Sequence, residues 1–405
     1  MTKILALTAV TATLLHGAEA PAQDGELAKK LREAYVTAAD LLVSQQDKVG
    51  AWQMGPPGKS MSSAAYTGLV LADLAGAPKD LRAKYQAVID KASAFLVSKA
   101  NKDGSFGEGP TGAFMKTYTT GIVLMALATE DREKHAGLIR GAQAYLKNNQ
   151  MKEEGVFRGG NGYGDEKPRV VDGKVVTVQE STPNISVTGW AAEGLQASGL
   201  PQDDEYWKLV KEFVRRCQNS SETNTDKAFI AALKEKGLSI GDDGGLFYAP
   251  VADPGASKAG TRKIADKEVI MSYGAMTYDG IKTYLYAGLQ KDSPEVKAAM
   301  DWVRKNYTVS SHPGFVFDAK QRHHLRGVYH YYLVMAKALV AYGENPLETF
   351  DGKKHDWPAE LGEQLLKTFK ESKWINENPA WYEGDSILVT SYVLGTLDIV
   401  LKHLK

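Results

Sequence analysis

The chain has 405 residues, 43% of them hydrophobic, and 49 Lys and Arg set against 49 Asp and Glu. A chain of this length buries a large core, and the absence of net charge argues against nucleic acid or an anionic surface as its partner. Cys217 is the only cysteine, so no intrachain disulfide can form.

Residues 1–22 read as a signal peptide. Lys3 is followed by an apolar run from Ile4 to Leu15, and Ala20-Pro-Ala22 is a small-residue cleavage site. The apolar run is too short to cross a bilayer, and no later stretch is long and uninterrupted enough. The expectation is a secreted or periplasmic protein without an integral membrane segment, with 23–405 as its mature chain.

From there one unit repeats: an amphipathic helix, a turn carrying glycine and an aromatic residue, then a helix that is nearly apolar all round. Ala38–Ser44 leads through Gly50-Ala-Trp52 to Ser63–Ala75. Lys91–Lys99 leads through Asp103-Gly-Ser-Phe106 to Met115–Ala128, and Leu138–Asn148 through Gly155-Val-Phe157 to Ile185–Ser198. Tyr206–Cys217 leads through Gly244-Gly-Leu-Phe247 to Met276–Gly288. Val296–Tyr307 leads through Pro313-Gly-Phe315 to Gly327–Tyr342, and Leu361–Glu371 through Trp374 to Ser386–Lys402. Six such pairs bury their apolar helices best by closing into a ring, inner helices together and outer ones around them. The predicted fold is all-α, a single (α/α)6 toroid.

Two stretches interrupt the rhythm. In the first, residues 158–181, Val170-Val-Asp-Gly-Lys-Val-Val176 predicts a small β-hairpin with Asp172-Gly173 as its turn, serving as a flap over one mouth or as cover for a seam. The second, residues 220–275, holds Gly241-Asp-Asp-Gly-Gly245 and Asp253–Gly260. Such loops cradle anions through backbone N–H groups, but the strand, lysine and Ser/Thr arrangement of a nucleotide loop is missing.

Lys91-Ala-x-x-Phe-Leu96 followed by Asp103-Gly-Ser-Phe106 resembles the QW-type repeat of squalene and oxidosqualene cyclases and of protein prenyltransferase β subunits, and Gln45…Gly50-Ala-Trp52 is similar. Ser272–Tyr278, Tyr329–Leu339 and Trp381–Tyr392 look like a secreted bacterial subgroup of prenyltransferase/squalene oxidase repeat proteins. The resemblance spans about 30–405 and implies a terpenoid cyclase/prenyltransferase-like barrel. The chain departs from those families at their chemistry. The Asp-x-Asp-Asp of the cyclases is absent, since Gly241-Asp-Asp-Gly lacks the first Asp. The segment matching the prenyltransferase zinc helix, Ser272–Thr283, has no cysteine, although His330 falls in the segment similar to the His-bearing one. No metal site and no cofactor are expected.

In a toroid of this kind the first turns of the inner helices face the central cavity. Polar and aromatic residues gather there: Tyr66, Tyr118, Ser186, Tyr273, Tyr278, Asp279, Tyr329, His330, Asp385 and Tyr392. An apolar cavity with a rim of Tyr, His and Asp is the usual form of a ligand site, although tyrosines also close helix barrels by ring packing. The reading that follows is binding, or transformation by a cyclase-like isomerase or a transferase, of an apolar isoprenoid-like ligand. Asp279 or Asp385 is the candidate acid and His330 the group that orients or activates it. Tyr66, Tyr118, Tyr273, Tyr278, Tyr329 and Tyr392 are the pocket lining that stabilises developing positive charge. Two alternatives stand beside it. One is a carbohydrate-active toroid: a lyase using Tyr278 or Tyr329 with His330 and a neutralising Lys116, Lys282 or Arg326, or a hydrolase using Asp279 and Asp385. The other is a non-catalytic binding or scaffold protein. The partner is thus an apolar small molecule or a glycan, and the sequence sets no oligomeric state.

Overall fold

The structure, a computed structural model, describes residues 25–55, 59–107, 115–164, 166–171, 174–179 and 182–404. The expected signal peptide and the hairpin turn Asp172-Gly173 lie outside these residues. Helix α1 (Glu26–Ser44) turns its apolar stripe of Leu31, Ala34, Tyr35, Ala38 and Leu42 inward, a helical spacing that places them on one face. It begins well before Ala38 because the charged residues of its first half occupy the solvent side while Leu31 and Tyr35 continue the stripe. A short ribbon, β1 (Trp52–Met54) with β2 (Met61–Ser63), leads into α2 (Ala64–Gly76). Ser63 caps α2 by accepting the Tyr66 N–H.

The remaining pairs follow in order. After the short α3 (Lys79–Lys84), the outer helix α4 (Gln86–Ser98) precedes the inner α5 (Lys116–Asp131), and α6 (Ala136–Asn148) precedes α7 (Ile185–Ala197). Between these two lies the antiparallel hairpin β3 (Glu166–Val171) and β4 (Lys174–Gln179), in register from Glu166 opposite Gln179 to Val171 opposite Lys174. Outer α8 (Glu205–Arg216) and inner α10 (Gly274–Tyr286) enclose the second insertion. That insertion folds into α9 (Lys227–Glu235) and a small sheet of β5 (Leu238–Ser239), β6 (Thr261–Ile264) and β7 (Lys267–Ile270) in the order β5-β7-β6. Sequence periodicity did not anticipate these elements; α9 is set by Asp226, which caps it by accepting the Phe229 N–H at 3.0 Å. Outer α11 (Pro294–Asn306) precedes inner α12 (Val328–Tyr342). The ribbon of β8 (Leu347–Glu348) and β9 (Lys354–His355) then leads to outer α13 (Trp357–Thr368) and inner α14 (Ser386–His403).

The inner helices α2, α5, α7, α10, α12 and α14 each pack on the next, and α14 packs back on α2. The fold is a closed (α/α)6 toroid with a small β-hairpin insertion. Inner helices are buried almost all round: α7 buries every residue from Val187 to Leu195. Gly121 lets α5 meet α7 closely, since a Cβ there would stand 2.7 Å from the Trp190 carbonyl oxygen.

The turns tie each pair to the next. In five of them the backbone N–H of the turn donates to a threonine hydroxyl in the first turns of the following inner helix. Trp52 reaches Thr67 at 3.1 Å, Phe106 Thr120 at 2.9 Å, Asn161 Thr188 at 2.9 Å, Leu246 Thr277 at 3.0 Å and Trp374 Thr390 at 3.2 Å. The turn glycine then packs on the next outer helix. Gly104, at φ +86°, lies so close to α6 that a Cβ would collide with the Gly141 carbonyl, so only glycine meets both the positive φ and the contact. Gly50 lies against Lys91, Gly159 against Leu209 and Gly244 against Ala298 in the same way.

Candidate functional site: a central aromatic cavity

Where the inner helices begin, the ring encloses a cavity of about 270 Å³. Each inner helix gives its wall a side chain from its first two turns: Tyr66 and Leu69 from α2, Tyr118 and Ile122 from α5, Ser186 from α7, Met276 from α10, His330 from α12, Leu388 and Tyr392 from α14. Spacings of three and four keep each pair on one helix face. Loops complete the wall with Tyr163, Tyr248, Lys258, Tyr273, His312 and the segment Trp381–Glu383.

The rings pack on one another. Tyr118 stacks on Tyr163 with centroids 6.2 Å apart, and Trp190 lies behind the wall at 5.7 Å from Tyr118, 6.2 Å from His330 and 6.5 Å from Tyr392. The hydroxyls of Tyr163 and Tyr248 pair at 2.7 Å, and that of Tyr118 lies 3.3 Å from Ser186 Oγ. At the mouth Trp381 and Tyr382 stand 43% and 60% exposed, both with positive φ, at 57° and 67°. Two adjacent non-glycine residues in that region hold strain that the surrounding contacts must maintain.

Two titratable groups of the wall, Glu383 and His312, are engaged with backbone, whereas His330 Nε2 and the Tyr66 hydroxyl are buried without a hydrogen-bond partner among the described residues. Glu383 accepts the His330 N–H at 2.8 Å, the Tyr329 N–H at 3.3 Å and Asn376 Nδ2 at 2.5 Å, which caps the start of α12. Burial pushes its carboxyl up to about 7 against the pull of these donors. His312 accepts the Ala275 N–H on Nε2 at 2.8 Å, and its Nδ1 donates to the Arg326 carbonyl at 2.6 Å. Burial pushes His312 down to about 3. Burial, with Lys282 and Lys337 nearby, does the same to His330. Both imidazoles are neutral at pH 7.

Two turns deeper lies a charged layer. Asp73, Glu193, Lys282 and Lys337 stand eight or nine residues into their inner helices, about 12–14 Å from the helix starts. Lys282 bridges Glu193 at 2.7 Å and Asp279 at 2.8 Å, and Lys337 also pairs with Glu193 while lying 5.3 Å from the Trp190 ring centroid. Burial opposes the Glu193 charge, but the two lysines hold its carboxyl down to about 2. Ser391 donates to Asp73 at 2.5 Å. This layer closes the floor beneath Trp190.

No protein-family model and no curated protein matches the chain. Solved structures do. The type II terpene cyclase MstE from Scytonema is similar over 93% of this chain and 100% of its own, at 15% identity and a TM-score of 0.54. A D-mannose isomerase is similar over 95% and 100%, at 13% identity and a TM-score of 0.56. A glycoside hydrolase family 76 mannosidase from Bacteroides thetaiotaomicron is similar over 93% and 99%, at 11% identity and a TM-score of 0.54. All three are α/α toroids. The likeness is one of fold.

Of the residues singled out in the sequence, Tyr66, Tyr118, Tyr273, Tyr392 and His330 stand together in the wall. Asp385 caps α14 by accepting the Ile387 N–H at 2.9 Å, beside the Tyr66 hydroxyl, and burial raises its pKa. Asp279 lies in the charged layer. Tyr278 packs on Tyr331, with centroids 5.7 Å apart, and Tyr329 on Tyr332 at 5.8 Å. One residue turns a helix by about 100°, so Tyr329 faces away from the axis that His330 faces. Lys116 pairs with Asp103 at 2.6 Å. Arg326 lies 5.7 Å from the Trp381 ring centroid. Sequence reasoning passed over Glu383, Trp381, Tyr382, Tyr163, Tyr248, Lys258 and His312. The run Trp381-Tyr-Glu-Gly just ahead of an inner helix was the available signal; the others come from loops whose course the repeat does not set. Among the described residues no three or more His, Cys, Asp or Glu side chains gather as a metal site, and no helix is long and apolar enough to cross a membrane.

Proposed function

We propose that the toroid holds an apolar, isoprenoid-like small molecule in its central cavity. The observation that carries this reading is that ring faces and aliphatic side chains make up most of the wall, while several of its polar groups bond within the protein. Glu383 and His312 bond backbone, Tyr163 bonds Tyr248 and Tyr118 lies against Ser186. Ring faces and the side chains of Leu69, Ile122, Met276 and Leu388 are left to meet a ligand. A sugar buried there would leave most of its hydroxyls without partners, at about 1–3 kcal/mol for each. The volume, at the lower edge of the roughly 300–1,000 Å³ of small-molecule sites, suits a compact ligand rather than a polymer segment.

The test is native mass spectrometry of the protein offered farnesol and mannose oligosaccharides in turn. Retention of farnesol, lost in Tyr118→Ala, is the expected result; retention of the oligosaccharide alone would sink the reading. A second reading rests on Trp381 and Tyr382, whose exposed rings at the mouth suit stacking on a pyranose face, and the mannose enzymes among the similar structures are compatible with it. Catalysis in the cavity would draw its proton from Asp385 or Glu383, the carboxyls that burial raises at the mouth end. Asp279 and His330 would act from beneath. Product analysis after incubation with a polyprenyl substrate, comparing wild type with Glu383→Gln and Asp385→Asn, checks that assignment. With residues 1–22 as an export signal, the ligand is met in the periplasm or outside the cell, which fractionation would test.

A further inference from the structure

Several buried or half-buried cations elsewhere in this protein have carboxylates. Lys282 and Lys337 share Glu193, Arg215 meets Glu295 at 2.6 Å, Arg216 meets Asp226 at 2.7 Å and Arg304 meets Glu344 at 2.7 Å. Two cations at the mouth of the cavity differ, the exposed Lys258 and the half-buried Arg326. Lys258 is part of the wall, and its ammonium stands 4.1 Å from the centroid of the Tyr248 ring. Asp253, the carboxylate whose field reaches it, is beyond ion-pair distance. Arg326 lies over Trp381, itself a wall residue, and its Nε is buried without a hydrogen-bond partner. Among the described residues neither cation has a carboxylate within 4.0 Å. A ring face holds a cation in place without neutralising it, so both charges remain available to a ligand. Below them the wall turns apolar.

We infer that the ligand is an amphiphile, with its apolar chain in the cavity and an acidic headgroup, carboxylate or phosphate, held at the mouth by Lys258 and Arg326. The inference rests on the central-cavity reading and adds the class of headgroup. A carboxylate or phosphate oxygen would take charge-assisted hydrogen bonds from the Lys258 ammonium and the Arg326 guanidinium. A neutral alcohol of the same chain would gain the apolar contacts alone.

The experiment is isothermal titration calorimetry of the whole protein with farnesol, farnesoic acid and farnesyl monophosphate, repeated on Lys258→Met, Arg326→Met, the double variant and Lys258→Arg. The expected result is binding of at least one acid roughly tenfold tighter than the alcohol. That preference should vanish in the double variant and survive in Lys258→Arg, with an unliganded unfolding midpoint close to that of wild type in every variant as the sign of an intact fold. Which acid shows it identifies the headgroup. Equal affinity for alcohol and acids, or a preference that persists in the double variant, overturns the inference and leaves the cavity reading standing. Failure of all three compounds to bind overturns both.

Discussion

Glu383 stands between two opposing effects: burial favours its neutral form, while N–H donors from His330, Tyr329 and Asn376 favour its charge. Its folded pKa of about 7 lies above the ordinary value of 4.5. The folded state therefore binds the proton more tightly, and the resulting stability is fully present below pH 4.5 and lost as pH rises through 7. The span corresponds to something on the order of 3 kcal/mol. In urea titrations, wild type should gain up to that amount relative to Glu383→Gln as pH falls from 8 to 5; a difference that does not change with pH would show that Glu383 is ionised throughout. His312 and His330 carry the opposite sign. Both are held near 3, so each costs stability as pH falls below 6.5. Proton NMR of the two imidazoles should show no titration between pH 8 and 5, and a midpoint near 6.5 for either would contradict the burial described. At this scale the sequence was partly legible. Tyr66, Tyr118 and His330 follow from their places in the first turns of inner helices. Glu383 does not, because its role depends on lying against the start of α12, a helix more than forty residues earlier in the chain.

The turn-and-threonine contact is the element that makes the repeats into one ring. A backbone N–H that ends an outer helix's turn is fully buried at Phe106, and the Thr120 hydroxyl is the acceptor it has. Thr120→Val keeps the volume and removes the acceptor, so denaturant titration should show a loss of about 1–3 kcal/mol; Thr120→Ser should retain most of the stability. Gly104→Ala strains a positive φ and drives a methyl into the Gly141 carbonyl, so it should destabilise by more than the ordinary 1 kcal/mol of a helix glycine change. A neutral effect of either substitution would mean that the joint between these units is loose enough to absorb the change. The helices and these turns were readable because their signals are local: a 3.6-residue apolar period and a glycine before an aromatic. The sheet and α9 of the second insertion carried no such period, being fixed by pairing with β7 and by the cap at Asp226.

Across the whole molecule the charged layer of Glu193, Asp279, Lys282 and Lys337 joins helices α7, α10 and α12 at the centre of the ring. Lys282→Met would leave two buried carboxylates without their shared cation and should cost about 3–5 kcal/mol. The same substitution made together with Glu193→Gln and Asp279→Asn should recover much of that loss, which thermal unfolding would show; no recovery would mean that shape rather than charge holds the floor. A ligand seated above this floor stabilises the folded state in proportion to its occupancy, so the unfolding midpoint should rise with farnesol concentration in wild type and less in Tyr118→Ala. The sequence by itself determined the closed ring. Six amphipathic and apolar helix pairs have one economical way to bury their faces, and that information is periodic and local. Only the tertiary structure decided which polar groups meet. It placed Asp279 with Lys282, Glu383 against α12 and Lys258 over Tyr248 because these encounters depend on helix rotation, depth along the barrel and the course of loops. None of these leaves a period in the chain.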